Sequence, residues 1–210
     1  MTITEAEFLK DVSTHVVEVI RDDGLFRHIR FKRPGTMCMH FDLITWPGYL
    51  CYTGDMGTYV FRRLNDMFEF FRTDRMSSYA KANNLTLDID PGYWGEKLEA
   101  VDRGDGFKEW SVAKFKKRLI EQFNEWADGE NFSVEDKLKA FKILENDVLD
   151  CLEDGGKEHA YRSAMDCEIY SNRPFEDFYE IDTEEYTHYF IWCCYALAWG
   201  IAEYDKVVAK

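Results

Sequence analysis

Proline and glycine are scarce in this sequence of 210 residues, which contains 4 and 13 of them respectively. With 46% apolar residues as well, the chain can bury a substantial core, which excludes a low-complexity or disordered protein. Long hydrophobic runs are also missing. The longest, at 190–202, spans about 13 residues, whereas a membrane-spanning helix needs roughly 20. We therefore expect no membrane partner and interpret 190–202 as a buried helix.

Paired cysteines and targeting signals are absent too. None of the six cysteines forms a CxxC motif, and the opening residues MTITEAE contain neither a basic region nor an apolar run. The absence of a secretion signal predicts a cytoplasmic protein. Its cysteines are expected to be reduced thiols, most of them filling the core.

Recognisable metal motifs are missing as well. His40 and Asp42 would share one strand face, and Asp55 would approach from the next turn. Without an HExxH or CxxC partner, such a set is too small to indicate a metal centre. We interpret these residues as a polar strand face and expect no metal.

Nucleophile and phosphate-loop signatures are equally weak. Cys193 follows His188 by five residues on a predicted helix, a spacing that brings the two side chains together poorly. The glycine-rich segment 53–58 matches no phosphate-binding motif, and Asp55 within it would repel a phosphate. We expect no catalytic residue and no cofactor, and the sequence favours a non-enzymatic role.

Hydrophobic periodicity predicts an α+β fold. Strand-like alternation dominates up to residue 75 and helical spacing dominates after it. The connections between the strands are too short for crossover helices, so we predict an N-terminal antiparallel β-meander of about four strands packed on helices. The predicted strands are 15–20, 25–31, 37–45 and 49–53. The predicted helices are 4–13, 62–72, 93–101, two that begin after Ser111 and Ser133, 157–168 and 183–206.

Two regions follow from this pattern. Residues 1–75 form the sheet with flanking helices, and residues 76–210 form an acidic helical region whose last helix fills the core of one integrated domain. In the second strand, a period of two places Phe26, His28 and Arg30 on one face. It places Leu25, Arg27, Ile29 and Phe31 on the other face.

Negative charge is what the sequence has in excess. The chain carries 40 acidic and 26 basic residues, a net charge of −14. Residues 121–185 contain 20 acidic and six basic residues, so this segment accounts for the whole excess. Such a local field attracts cationic partners and repels nucleic acid, so we expect no direct nucleic-acid binding.

Carboxylates spaced along helical surfaces can imitate the phosphates of DNA, which carry about one charge per 1.7 Å of duplex. This interpretation predicts an acidic surface that occupies the basic groove of a nucleic-acid-binding protein. The alternative is an ordinary solvated acidic surface. The predicted partner-binding residues are Glu135, Glu145, Asp147, Asp150, Glu153 and Asp154.

A basic strand offers a second hypothesis. Arginines cluster near 27–33, and Phe26, Phe31 and Trp46 could stack on a base, a combination that suits a nucleotide or RNA. A nucleotide-binding sponge or hydrolase would fit this pattern. The alternative is that the basic side chains form salt bridges within the protein. The predicted ligand-binding residues are Arg27, Arg30, Arg33, His40, Asp42 and Asp55.

Two segments resemble a known family: MHFDLITWPGYLCYTGDMGTYVFRRLNDMFEFFR at 39–72 and YFIWCCYALAWGI at 189–201. Both resemble uncharacterised small accessory proteins of tailed phages and prophages of Gram-negative bacteria. The resemblance covers the ends of the chain and carries over no catalytic residue. It implies a counter-defence protein in the host bacterial cytoplasm, of anti-CRISPR or anti-restriction type, that binds and inhibits a nucleic-acid-handling defence protein. For the alternative of a nucleotide-binding sponge or hydrolase, it implies a defence signalling molecule as the ligand. The aromatic-rich composition could also supply a homodimer surface.

Overall fold

The computed structural model describes residues 3–72, 77–102 and 106–209, without the side chains of Tyr79, Glu153 and Asp154. The chain divides into two compact units. Unit 1 comprises Met1–Lys108 and Tyr186–Lys210, and unit 2 comprises Glu109–Glu185. The predicted boundary at 75/76 does not coincide with this division, because the C-terminal segment belongs to the same unit as the N-terminal sheet.

The elements confirm the predicted α+β fold. The strands are β1 (Val16–Asp23), β2 (Phe26–Lys32), β3 (Phe41–Trp46), β4 (Tyr49–Gly54), β5 (Gly57–Arg62), β6 (Leu98–Val101), β7 (Lys108–Trp110) and β8 (Glu184–Tyr186). The α-helices are α1 (Glu5–Asp11), α2 (Met67–Phe71), α3 (Ser78–Ala82), α4 (Pro91–Gly95), α5 (Val112–Gly129), α6 (Val134–Asp147), α7 (Leu152–Asp166) and α8 (His188–Val208). Short 3-10 turns lie at Leu149–Cys151 and Phe178–Glu180.

The main sheet is an antiparallel meander of six strands in the order β1 to β6, two more than predicted. Two-residue turns connect β1 to β2, β3 to β4 and β4 to β5, whereas residues 33–40 connect β2 to β3. Gly24 and Gly48, with φ of +62° and +86°, lie in the first and third of the chain reversals, in backbone conformations that favour glycine. The strands β7 and β8 form a separate two-stranded sheet.

The inner face of the main sheet forms the core of unit 1. Alternate residues on β2 to β5 point inward and are fully or almost fully buried: Ile29, Phe31, Phe41, Leu43, Leu50, Tyr52, Tyr59 and Phe61. Helix α8 lies against this face. A Cβ added at Gly200 would lie 3.2 Å from ring atoms of both Phe31 and Phe41, so glycine permits this close approach. The opposite, outer face carries Phe26, His28 and Arg30, as the alternation predicts.

Unit 2 has its own core, built from α5, α6, α7 and the segment after them. Phe115, Leu119 and Phe123 recur along one side of α5 and are buried, as the spacing predicts. On α6 the apolar residues do not all face the core. Leu144 is buried, but Leu138 is 67% exposed. The small Ala140 takes the inward position instead.

Two predicted helices are wrong in part. The segment 62–72 is helical only from Met67, because β5 continues to Arg62 and Asp66 caps the helix by accepting a hydrogen bond from the Phe68 amide. The segment 93–101 ends its helix at Gly95 and then forms β6, which pairs with β5. In both places the strand pairing overrides a helical apolar spacing.

The last helix begins at His188 rather than at residue 183. Thr187, which is 4% exposed, caps it by accepting a hydrogen bond from the Phe190 amide at 3.2 Å. Among the helices of the described ranges, none combines the length and apolarity that crossing a bilayer requires.

Thr187→Ala is expected to lower the free energy of unfolding by about 1 kcal/mol, because it leaves the Phe190 amide without its capping acceptor. Thr187→Ser keeps the hydroxyl and is expected to recover most of the loss. Urea denaturation of the three proteins measures the difference. Equal stability of the alanine and serine variants would show that the cap contributes nothing.

Candidate functional site

Most of the negative charge lies in unit 2. Glu109–Glu185 contains 21 acidic and 10 basic residues, a net charge of −11, whereas unit 1 carries 19 and 16, a net charge of −3. Among the described residues, seven of the ten unit 2 cations form ion pairs with carboxylates of the same unit. These pairs use six carboxylates, so acidic side chains remain in large excess.

The predicted partner-binding residues differ in whether their carboxylates already form ion pairs within the protein. Glu135 pairs with Lys139 at 2.7 Å, and Glu145 pairs with Lys142 at 2.6 Å. The hydrogen bond to Glu145 raises the pKa of Lys142. Asp147 and Asp150 are exposed, while the side chains of Glu153 and Asp154 lie outside the described residues.

Helix geometry also separates these residues. Glu145 and Asp147 are two positions apart on α6, which at 100° per residue places them about 200° apart around the helix axis. They therefore point to nearly opposite sides of α6. Both were predicted to belong to one acidic partner-binding surface, and the helix does not bring them together.

A second group of carboxylates does converge. A depression of about 500 Å³ in unit 2 lies between α5 and the segment 177–182. Its carboxylates are Glu121, Glu125, Asp177, Glu180 and Asp182. Arg118 also lines it and pairs with Glu121 at 3.0 Å. Gln122 contributes as well, and its Oε1 is buried without a hydrogen-bond partner in the described part of the chain. We call this feature the acidic depression. Sequence reasoning missed it, although the spacing of Glu121 and Glu125 by four residues on α5 was a signal.

The predicted ligand site on the basic strand is internally paired. On the outer face, Arg30 donates two hydrogen bonds of 2.8 Å to the carboxylate of Asp42, which is 5% exposed. His28 Nε2 lies 2.7 Å from Asp42 Oδ2. Burial disfavours ionised Asp42, but the hydrogen bonds from Arg30 and His28 outweigh it, so the pKa of Asp42 lies below its usual range.

Arg27 points to the other face of the same strand. It donates two hydrogen bonds of 2.8 Å to Asp66, and its guanidinium lies 4.7 Å from the ring centroid of Phe68. Burial alone would raise the pKa of Asp66, but the bonds from Arg27 and from the Phe68 amide lower it. Arg27 therefore anchors α2 against the sheet instead of joining Arg30 in a shared site.

The three remaining predicted residues connect loops of unit 1 that are 15 to 19 residues apart in sequence. Asp55 Oδ1 lies 2.9 Å from His40 Nδ1, and Asp55 Oδ2 accepts a hydrogen bond from the Met39 amide at 2.6 Å. Arg33 donates to the hydroxyl of Thr14 at 2.9 Å. The six residues thus fall into separate clusters. In the described ranges, no group of three or more His, Cys, Asp or Glu side chains is arranged to hold a metal.

The cysteines lie partly in the core. Cys167, Cys193 and Cys194 are buried, whereas Cys38 and Cys151 are exposed. Burial raises the pKa of Cys193 and of Cys194 well above the usual thiol value. Both thiols are therefore protonated and poorly reactive at neutral pH, which supports their interpretation as core residues.

Comparisons with known proteins assign the chain to no family. No protein-family model matches it, and no solved structure matches it. A segment is similar to Nonribosomal peptide synthetase 6 of Cochliobolus heterostrophus, with 29% identity over 114 residues. The alignment covers 48% of this chain but only 6% of the synthetase. At this identity and coverage, the similarity does not establish membership of a family.

Proposed function

We propose that this protein is a non-enzymatic, phage-encoded counter-defence protein that binds a host protein through unit 2. Its target would be a nucleic-acid-handling defence protein of the CRISPR or restriction type in the host cytoplasm. The observation that carries the proposal is the net charge of −11 on one compact unit, most of whose cations are already paired. Such a unit offers a surplus of carboxylates to a cationic groove.

The acidic depression is the point of closest contact in this proposal. Arginine and lysine side chains that normally hold phosphates would enter it and meet the carboxylates of Glu125 and Asp177, both exposed. Charge-assisted hydrogen bonds of this kind are about twice as strong as neutral ones. Exposed charges are screened over roughly 10 Å at 0.1 M salt, so the complex should weaken as salt is added.

Charge reversal in unit 2 tests the proposal. The test variant carries Glu125→Lys, Asp147→Lys, Asp150→Lys and Asp177→Lys. We expect the wild-type protein to capture a nucleic-acid-binding defence protein from host lysate at low salt and to release it at high salt. The test variant should lose this capture, because four attractive contacts become repulsive. Mass spectrometry identifies the target, and a gel-shift assay measures whether the wild-type protein displaces its nucleic acid.

A matched control has the same net charge change in unit 1: Asp23→Lys, Glu69→Lys, Glu96→Lys and Glu99→Lys, all at exposed carboxylates. It should still capture and inhibit the target. Capture that persists in the unit 2 variant, or that is lost equally in both variants, contradicts a role for the acidic unit.

A further inference from the structure

A second depression, of about 560 Å³, lies on the outer face of the main sheet in unit 1. We call it the outer-face depression. Aromatic, apolar and cationic side chains line it, and its lining includes no carboxylate among the described residues. Its main contributors are Ile20, Arg21, Phe26, His28, Ile44 and Trp46. A lining with cations and without carboxylates is unusual in a chain with a net charge of −14.

A β-bulge in the edge strand β1 directs the side chain of Arg21 to the outer face. The pairing of β1 with β2 shifts between Val19 and Arg21, so that Arg21 lies opposite His28. Without the extra residue, strict alternation would put Arg21 on the same side as Val19, which pairs with the inward-facing Ile29. Bulges commonly redirect side chains at functional sites.

Two exposed aromatic side chains form the walls. Phe26 precedes Arg27 on β2 and Trp46 follows Thr45 on β3, so both lie just beyond the Arg27–Thr45 pair of these antiparallel strands. They are 43% and 36% exposed. The indole of Trp46 stacks on Tyr49 with a centroid distance of 5.2 Å and an angle of 13°. This stacking fixes the orientation of Trp46, so its free surface is available to a flat ring.

The cationic side chains that line the depression differ in whether they can bind an incoming anion. His28 is held by Asp42, and Arg27, at the rim, is held by Asp66. Arg21 is different, since its one hydrogen bond of 3.1 Å goes to Asp23, and both side chains are more than half exposed. Such a surface pair contributes little free energy, so an incoming anion can replace Asp23. The guanidinium of Arg21 lies over one face of the Phe26 ring, 5.3 Å from its centroid.

We propose that the outer-face depression binds a ligand of the nucleoside monophosphate class, with one flat aromatic base and one phosphate group. The base would stack against Phe26 and Trp46, and the phosphate would pair with Arg21. The volume lies within the range of roughly 300 to 1,000 Å³ typical of small-molecule sites. One replaceable arginine suits a single phosphate better than a polyphosphate. The site lies in unit 1 and does not depend on the acidic unit.

Calorimetric titration of the full chain with AMP, GMP, CMP and UMP tests this proposal. We expect saturable binding of at least one of them. Trp46→Ala should weaken it roughly 5- to 150-fold, the range measured when a stacking aromatic is removed. Arg21→Gln should weaken the nucleotide about tenfold or more but leave the parent nucleoside unchanged. Lys32→Gln is the matched control, because Lys32 is also a cation paired on the outer face but does not line the depression.

Circular dichroism and thermal unfolding show whether the variants are folded. If Trp46→Ala is unfolded, Phe26→Leu takes its place as the wall variant. The absence of saturable binding by all four nucleotides overturns the proposal. So does binding that survives both Trp46→Ala and Phe26→Leu, or binding in which nucleoside and nucleotide respond equally to Arg21→Gln.

Discussion

Phe41→Ala is expected to lower the free energy of unfolding by about 3–5 kcal/mol, the range typical of a large aromatic removed from a core. Phe41 has no solvent exposure and lies at the centre of the inner face. Its ring stacks on Phe31 at 4.6 Å and meets the edge of Trp192 at 5.6 Å. Removing it leaves a cavity between the sheet and α8 that the rigid neighbouring rings cannot fill. Urea denaturation measures the loss.

Phe26→Ala is the matched control, because it removes the same side chain from the neighbouring strand but on the outer face. Phe26 is 43% exposed, so its removal should change the free energy of unfolding by less than about 1 kcal/mol. If both variants are destabilised equally, the outer face must also be covered, and the two-sided description of this sheet is wrong.

The difference between the two phenylalanines could be predicted from sequence. The alternation in β2 correctly assigned Ile29 and Phe31 to one face and His28 and Arg30 to the other. A period of two is reliable here, because an antiparallel sheet with one covered face needs apolar residues on that side only. The last helix was also predictable as central, since it is apolar nearly all round.

Other elements could not be predicted because their structure depends on distant partners. The strand β6 is short and lies 36 residues beyond the end of β5 by number, from Arg62 to Leu98, and only pairing with β5 explains it. Apolar residues at 60, 64, 67 and 71 have helical spacing, yet the first of them, Val60, lies in strand β5 and pairs with Cys51 of β4. Local pattern does not show which long-range pairing will form.

The candidate site was predicted at the level of charge but not of geometry. The acidic segment 121–185 falls entirely within unit 2, so the concentration of charge was visible in the sequence. The acidic depression was not, because it joins α5 to a segment about 55 residues later through packing. Likewise, the alternation placed Arg27 and Arg30 on opposite faces of the strand, but it did not indicate that they pair with Asp66 and Asp42 respectively.

The pairing of Arg30 with Asp42 leads to the second large expected effect. Asp42→Asn is expected to lower the free energy of unfolding by about 1.5–3 kcal/mol at pH 7, the range for hydrogen bonds to a charged group. The asparagine is similar in size but carries no charge, and its amide nitrogen, which only donates, replaces one of the two oxygens that receive the bonds from Arg30 and His28. Asp23→Asn is the control, because Asp23 is a highly exposed carboxylate on the same face and should have little effect.

The effect of Asp42→Asn should depend on pH in a defined direction. The pKa of Asp42 in the folded protein lies below the value of about 3.9 expected for the unfolded chain. Its ionised form therefore stabilises the fold fully above that value, and the contribution is lost as the pH falls through the folded pKa. The pKa of Asp66 is also lowered, but Asp66 is present in both proteins, so its titration cancels in their difference. Urea denaturation in a pH series from 7 downward should show the wild-type advantage shrinking only below about pH 4. An advantage that stays constant in acid would mean that the asparagine acts through packing, and that the charge of Asp42 does not stabilise the sheet.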